Sequence, residues 1–155
     1  MTVSMRISTK GNPFRKSKSP VQQVGLTELT HHRPLGDIEI HGDGITFEMP
    51  GVSLFDFTRV MLLCIAEARR SGKSEYYFPE GEGYIFLTRT GSIVEMTCDF
   101  EDGAIRATPG EFRRALAAAG LDMIDHLQDH DSGVLRNPHF KKLRADLLLA
   151  AEEID

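Results

Sequence analysis

Between Ser53 and Arg70 the chain is apolar on too many sides of a helix to lie on a surface. Phe57, Met61, Cys64, Ile65 and Ala68 recur at three- and four-residue intervals and make one stripe. Val60, Leu62 and Leu63 widen it beyond what a half-exposed helix carries. Such a helix has to be wrapped by other elements, so it is expected at the centre of the core. Its ends are also written locally. Ser53 followed by Asp56 is a capping-box-like start, and Ser71-Gly72 offers the left-handed stop.

The segments on either side alternate with period two. Ile38 and Ile40 interleave with Asp37, Glu39 and His41, and Ile45, Phe47 and Met49 interleave with Thr46 and Glu48. Gly42-Asp43-Gly44 between them is a tight-turn signal, so residues 37–41 and 44–49 form a hairpin. After the helix comes a meander of four short strands, Glu75–Phe78, Tyr84–Arg89, Ser92–Phe100 and Ala104–Ala107, separated by glycine turns. Tyr84, Phe86 and Thr88 fall on one face and Ile85 and Leu87 on the other. In the next strand Val94, Met96, Cys98 and Phe100 oppose Glu95, Thr97 and Asp99.

Thr108-Pro109-Gly110-Glu111 is a helix start with cap, first-turn proline and capping-box acid. The helix it opens buries Phe112 and Leu116, and Gly120 either ends or loosens it. Asn137-Pro138 caps a last helix with Phe140, Leu143, Leu147 and Ala151 inward. The expected class is α+β in the order β-β-α-β-β-β-β-α-α. It is a six-stranded, mainly antiparallel sheet with three helices packed on one face.

A chain of 155 residues can build that as one domain, expected over residues 36–155. The first 35 residues hold six basic side chains and one acid, so of the net −5 the remainder carries −10. Residues 1–20 lack an apolar secretory region and an amphipathic pattern, and are expected to be a disordered basic tail or an over-called start preceding Met5. Residues 21–35 are expected to be a linker. The longest apolar run, Val60–Ala66, is far too short to span a bilayer. Cys64 and Cys98 fall in apolar patterns and read as small buried hydrophobes in a reducing, cytoplasmic setting.

Catalytic signatures are sparse, so no catalytic residue, cofactor or resident metal is expected. His126 and His130 share a helix face, as zinc requires, with Asp122 one turn earlier, but Leu127 stands where a zinc protease has its glutamate. A calcium loop starting at Asp129 would need Gly and Glu where Val134 and Phe140 stand. There is no G-x-S-x-G elbow, phosphate loop, dinucleotide fingerprint or Cys-x-x-Cys.

The acidic decoration is the more informative feature. Glu48, Glu80, Glu82, Glu95, Asp99 and Glu101 fall on the expected wet face of the sheet or its turns, with Tyr84 and Phe86 as aromatic anchors. A body that acidic disfavours nucleic acid and membrane surfaces and favours a basic protein partner. The hairpin over Asp37–Met49, the helix opening Ser53-Leu54-Phe55-Asp56-Phe57, the meander and the capped helix at Thr108 together resemble the small acidic immunity proteins of bacterial polymorphic toxin systems. The resemblance covers about residues 37–128 and implies binding and neutralisation of a basic toxin. The alternatives are a metal-dependent enzyme or regulator using His126 and His130, and an interaction module of a larger assembly.

Overall fold

The computed structural model describes residues 3–9, 14, 19–31, 34–79, 81 and 83–154. The order is β1 (Ser4–Thr9), α1 (Leu26–His31), β2 (Leu35–Gly42), β3 (Ile45–Ser53), α2 (Leu54–Ser71), β4 (Lys73–Tyr77), β5 (Tyr84–Thr90), β6 (Ile93–Cys98), β7 (Ile105–Ala107), α3 (Pro109–His130) and α4 (Pro138–Ala151). Short 3-10 turns precede α1 and α4.

The α+β class holds, but the single six-stranded sheet does not. There are two antiparallel sheets, β1-β2-β3 and β4-β5-β6-β7, and four helices. The hairpin does not seek its next strand in the meander, because the chain's own start reaches it first. β1 pairs along β2, with Met5 opposite Ile40 and Ile7 opposite Ile38. The sheets come together at a corner. There Asp43 Oδ2 accepts the Arg106 amide at 2.8 Å, and Ile45 lies so close to Gly103 that a Cβ would fall 2.6 Å from it.

The disordered tail and the linker are therefore corrected over the described residues. Val3, Met5 and Ile7 alternate with Ser4, Arg6 and Ser8, a strand pattern masked in sequence by the lysines that follow. Val3 and Ile7 are buried, and Phe14 packs edge-on against Phe140 at 6.3 Å between ring centroids. Residues 1–2, 10–13 and 15–18 lie outside the described residues. The supposed linker is pinned from two sides. Asn137 Nδ2 donates to the carbonyls of Val21 and Val24, both at 2.8 Å, while its Oδ1 caps α4 at the His139 amide. Ser53 Oγ donates to the Leu29 carbonyl at 2.8 Å and accepts the Asp56 amide, so one hydroxyl caps α2 and holds α1.

α2 is buried along most of its circumference, from Leu54 to Ala68, and touches both sheets as well as α1 and α3. Between Leu54 and Ala68 Leu63 alone is exposed, and the last turn from Arg69 to Ser71 opens to solvent. α3 is continuous through Gly120, so of the two expected outcomes the glycine does not end the helix. A Cβ there would lie 2.9 Å from Thr58 of α2 and 2.8 Å from Leu147 of α4, so the glycine permits a three-helix crossing. In α4 the inward residue of the last turn is Ala150, not Ala151.

Each sheet thus has one dry and one wet face. Deleting residues 1–9 is expected to lower the unfolding free energy by about 3–6 kcal/mol, since two buried aliphatic side chains leave with the strand. Gly36→Ala should act in the same direction, because its Cβ would sit 2.2 Å from the Ser8 carbonyl oxygen. Denaturant titration checks both; a dispensable tail would leave the midpoints unchanged.

Candidate functional site

The meander buries Tyr76, Ile85, Leu87, Val94, Met96, Ile105 and Ala107 on one face and leaves the other to solvent. Strand register decides what that open face carries. Tyr77 is paired with Tyr84, Glu75 with Phe86, Phe86 with Thr97, and Glu95 with Arg106. Three rings consequently line up, with centroids 5.9 Å apart for Tyr77 and Tyr84 and 4.4 Å apart for Tyr84 and Phe86. Tyr77 is 59% exposed, while Tyr84 and Phe86 are half-buried by their neighbours in the ladder. The Tyr77 hydroxyl donates to the Glu75 carboxylate, which pushes its pKa upward.

The eight residues expected to contact a partner fall into three groups. Tyr84, Phe86 and Glu95 share the open face. Asp99 and Glu101 are exposed just beyond the end of β6, and Glu48 is exposed on β3 of the other sheet. Glu80 and Glu82 lie outside the described residues. A hollow of about 350 Å3 brings Glu48 to one corner with the stretch that carries Asp99 and Glu101. Glu48, Met49, Pro50, Phe78, Pro79 and Phe100 line it, and Asp99 and Glu101 flank Phe100 in the chain.

Several of these carboxylates are already engaged. Glu95 is bridged by Arg106 at 2.9 Å, Glu39 by Arg6 at 2.7 Å, and Asp99 Oδ1 accepts the Tyr84 amide at 2.9 Å. Asp99 therefore fixes the start of β5 and only secondarily charges the surface. Glu48, Glu101 and Asp102 make no ion pair among the described residues, so uncompensated negative charge gathers near the corner. Sequence reasoning missed Tyr77, Phe78 and Phe100 as surface contributors. The signal was present for Tyr77, which shares the parity of Glu75 within its strand, but its pairing with Tyr84 depends on the length of the turn between them.

His126 and His130 are both exposed near the end of α3, and His126 Nδ1 lies 3.6 Å from Asp122 Oδ2. Among the described residues no three His, Cys, Asp or Glu side chains converge to hold a metal ion. No described helix is long and apolar enough to cross a membrane.

A second polar cluster is internal. The Tyr76 hydroxyl donates to Asp56 Oδ2 at 2.8 Å, and Arg59 stands 3.9 Å from the other carboxylate oxygen. Cys64 Sγ donates to the Glu75 carbonyl at 3.4 Å, and Ser74 Oγ donates to the Cys64 carbonyl at 2.5 Å. Together they stitch α2 to the exposed edge of β4. Burial, reinforced by Asp56 and Glu67, pushes the Cys64 thiol from 9.0 up to about 11. Burial and then the Asp56 carboxylate raise the Tyr76 phenol above its ordinary 10.0. Both groups hold their protons and serve as donors, which is a structural chemistry.

No family model matches the chain, and no curated protein or solved structure shows significant similarity to it.

Because folding raises both pKa values, stability is full below pH 9.0 and falls as pH rises toward about 11, where unfolded chains ionise and folded ones do not. Thermal melts across that window check the slope. At pH 8 the Cys64 thiol should resist alkylation until the protein unfolds. Tyr76→Phe should cost about 1–3 kcal/mol by leaving the buried Asp56 carboxylate without its donor.

Proposed function

We propose that this chain is a protein-binding domain whose working surface is the open face of the four-stranded sheet together with the corner beside Glu48. The observation that carries the reading is the ladder of Tyr77, Tyr84 and Phe86 on a sheet face that no other element covers among the described residues. Aromatic side chains bring large contact area at small entropic loss, which is why they anchor interfaces. Arg106 and Lys73 border the same sheet, so the face itself is mixed in charge, and the acids at the corner give the surface its bias.

A partner that fits presents apolar side chains to the ladder and basic side chains to Glu48, Glu101 and Asp102. The finer form of the proposal is an inhibitor of the immunity type that masks a basic toxin in the cytoplasm. The two cysteines, both free thiols, are consistent with a reducing compartment. Charge at the rim then sets the speed and selectivity of association, and the rings set its lifetime.

The test uses tagged full-length protein to capture partners from its host at low and moderate salt. A single basic partner is expected, retained less well as salt rises. Tyr84→Ser combined with Phe86→Ser should weaken its binding by more than about thirtyfold, a loss of ~2 kcal/mol, while the variant stays folded with a melting temperature only a few degrees lower, about what losing two cross-strand ring contacts costs. Equal capture by the double variant would remove the ladder from the interface, and salt-independent capture would remove the corner acids.

A further inference from the structure

On the far side from the ladder, the four helices border a groove of about 520 Å3 whose chemistry is opposite to that of the acidic corner. Leu26 of α1, Leu63 of α2 and Leu149 of α4 stand on its rim, 41%, 61% and 71% exposed. Arg59, Arg113 and Lys142 line it against a single carboxylate, Asp146. In a chain of net charge −5 this is a local reversal of sign.

The cations are not equally occupied. Lys142 Nζ bonds Asp146 at 2.8 Å, and Arg113 is held by the Glu153 carboxylate. Arg59 differs, because its nearest carboxylate, at 3.9 Å, is beyond hydrogen-bond length, and its Nε, like that of Arg113, is buried without a well-aligned acceptor among the described residues. A buried donor left unmatched is uncommon in folded proteins and marks a place where an acceptor fits.

The groove is also elongated. Leu63 and Ala66 line a second, open hollow that continues along α2 past Glu67 and Arg70 toward Tyr77. We infer that this trough docks an acidic amphipathic helix of a partner protein, its apolar face between α2 and α4 and a carboxylate on Arg59. A helix laid in a groove covers rim leucines on both sides, which a small amphiphile sunk between them leaves in water. A second copy of the chain meeting this face symmetrically would set Arg59 and Lys142 against their own counterparts, which repel. Charge complementarity thus selects an acidic partner. The helix-lined part of the trough shares no lining residue with the sheet ladder, which it approaches only through Tyr77 at the end of the second hollow, so substitutions at Leu149 and Lys142 test it apart from Tyr84 and Phe86.

The experiment selects helical peptides from a displayed random library on the full chain. Selected sequences should carry large apolar residues at i, i+3 or i+4, and i+7, with Asp or Glu beside them. Their affinity should fall at least about tenfold on Leu63→Ser with Leu149→Ser, and on Lys142→Glu, exposed positions that leave the fold intact. Arg59→Gln should weaken acidic peptides while sparing versions with the carboxylate amidated. Selection of cationic peptides, or of none sensitive to these substitutions, overturns the inference. So does displacement of the peptides by dodecanoate at equal affinity, or dimerisation of the chain that the leucine substitutions abolish.

Discussion

Everything outward of the core depends on how α2 is held, and the decisive contact is the hydrogen bond from Tyr76 to the buried Asp56 carboxylate. A carboxylate at that depth is tolerable only with its lone pairs engaged, and Tyr76 of β4 is the donor that reaches it. The bond brings with it the sulfur and hydroxyl contacts of Cys64 and Ser74, so β4 is fastened to α2 by side chains along what would otherwise be a free sheet edge. With β4 fixed, β5 to β7 follow by pairing, and their parity sends Tyr77, Tyr84 and Phe86 outward. The ladder is a consequence of a bond on the opposite face of the same strand.

The N-terminal strand plays the corresponding role for the other sheet. By covering β2 it turns a two-stranded hairpin, marginal alone, into a three-stranded sheet with a dry face. It also changes the electrostatics. Arg6 is spent on Glu39, and His41 completes the same cluster through Glu39 at 3.2 Å and Thr46 at 2.9 Å. A separation into a basic tail and an acidic body overstates the surface charge, because part of that tail neutralises part of that body. What remains is two faces of opposite bias, an acidic corner beside the ladder and a cationic trough between helices.

Local chemistry was readable where one segment decides it. Ser53, Thr108 and Asn137 cap their helices as their spacing implies, and Asp43 and Gly44 take the left-handed conformations of a tight hairpin turn, with φ of 53° and 73°. The faces of β5 and β6 also follow from alternation. Partnership between distant segments was not readable. Six positions near the N-terminus show a strand pattern only once β2 is known to have a vacant edge, and two sheets replace one because that edge is filled locally. Gly120 looks like a helix breaker until Thr58 and Leu147 are seen to need the space of its missing side chain. Of the site, the shared face of Tyr84 and Phe86 was legible but not which face the helices cover, and Asp99 and Glu95 were misread as free charge because their partners, a backbone amide and Arg106, come from neighbouring strands.

The account stands on which way the meander faces, and the chain's three tyrosines report it directly. Two sit side by side in β4 on opposite faces, and the third is in the ladder. Limited nitration of the native protein, followed residue by residue by mass spectrometry, should modify Tyr77 first, Tyr84 more slowly, and Tyr76 only after unfolding. Early modification of Tyr76 with protection of Tyr77 and Tyr84 would mean the sheet is turned the other way, and both the Asp56 anchor and the aromatic surface would go with it.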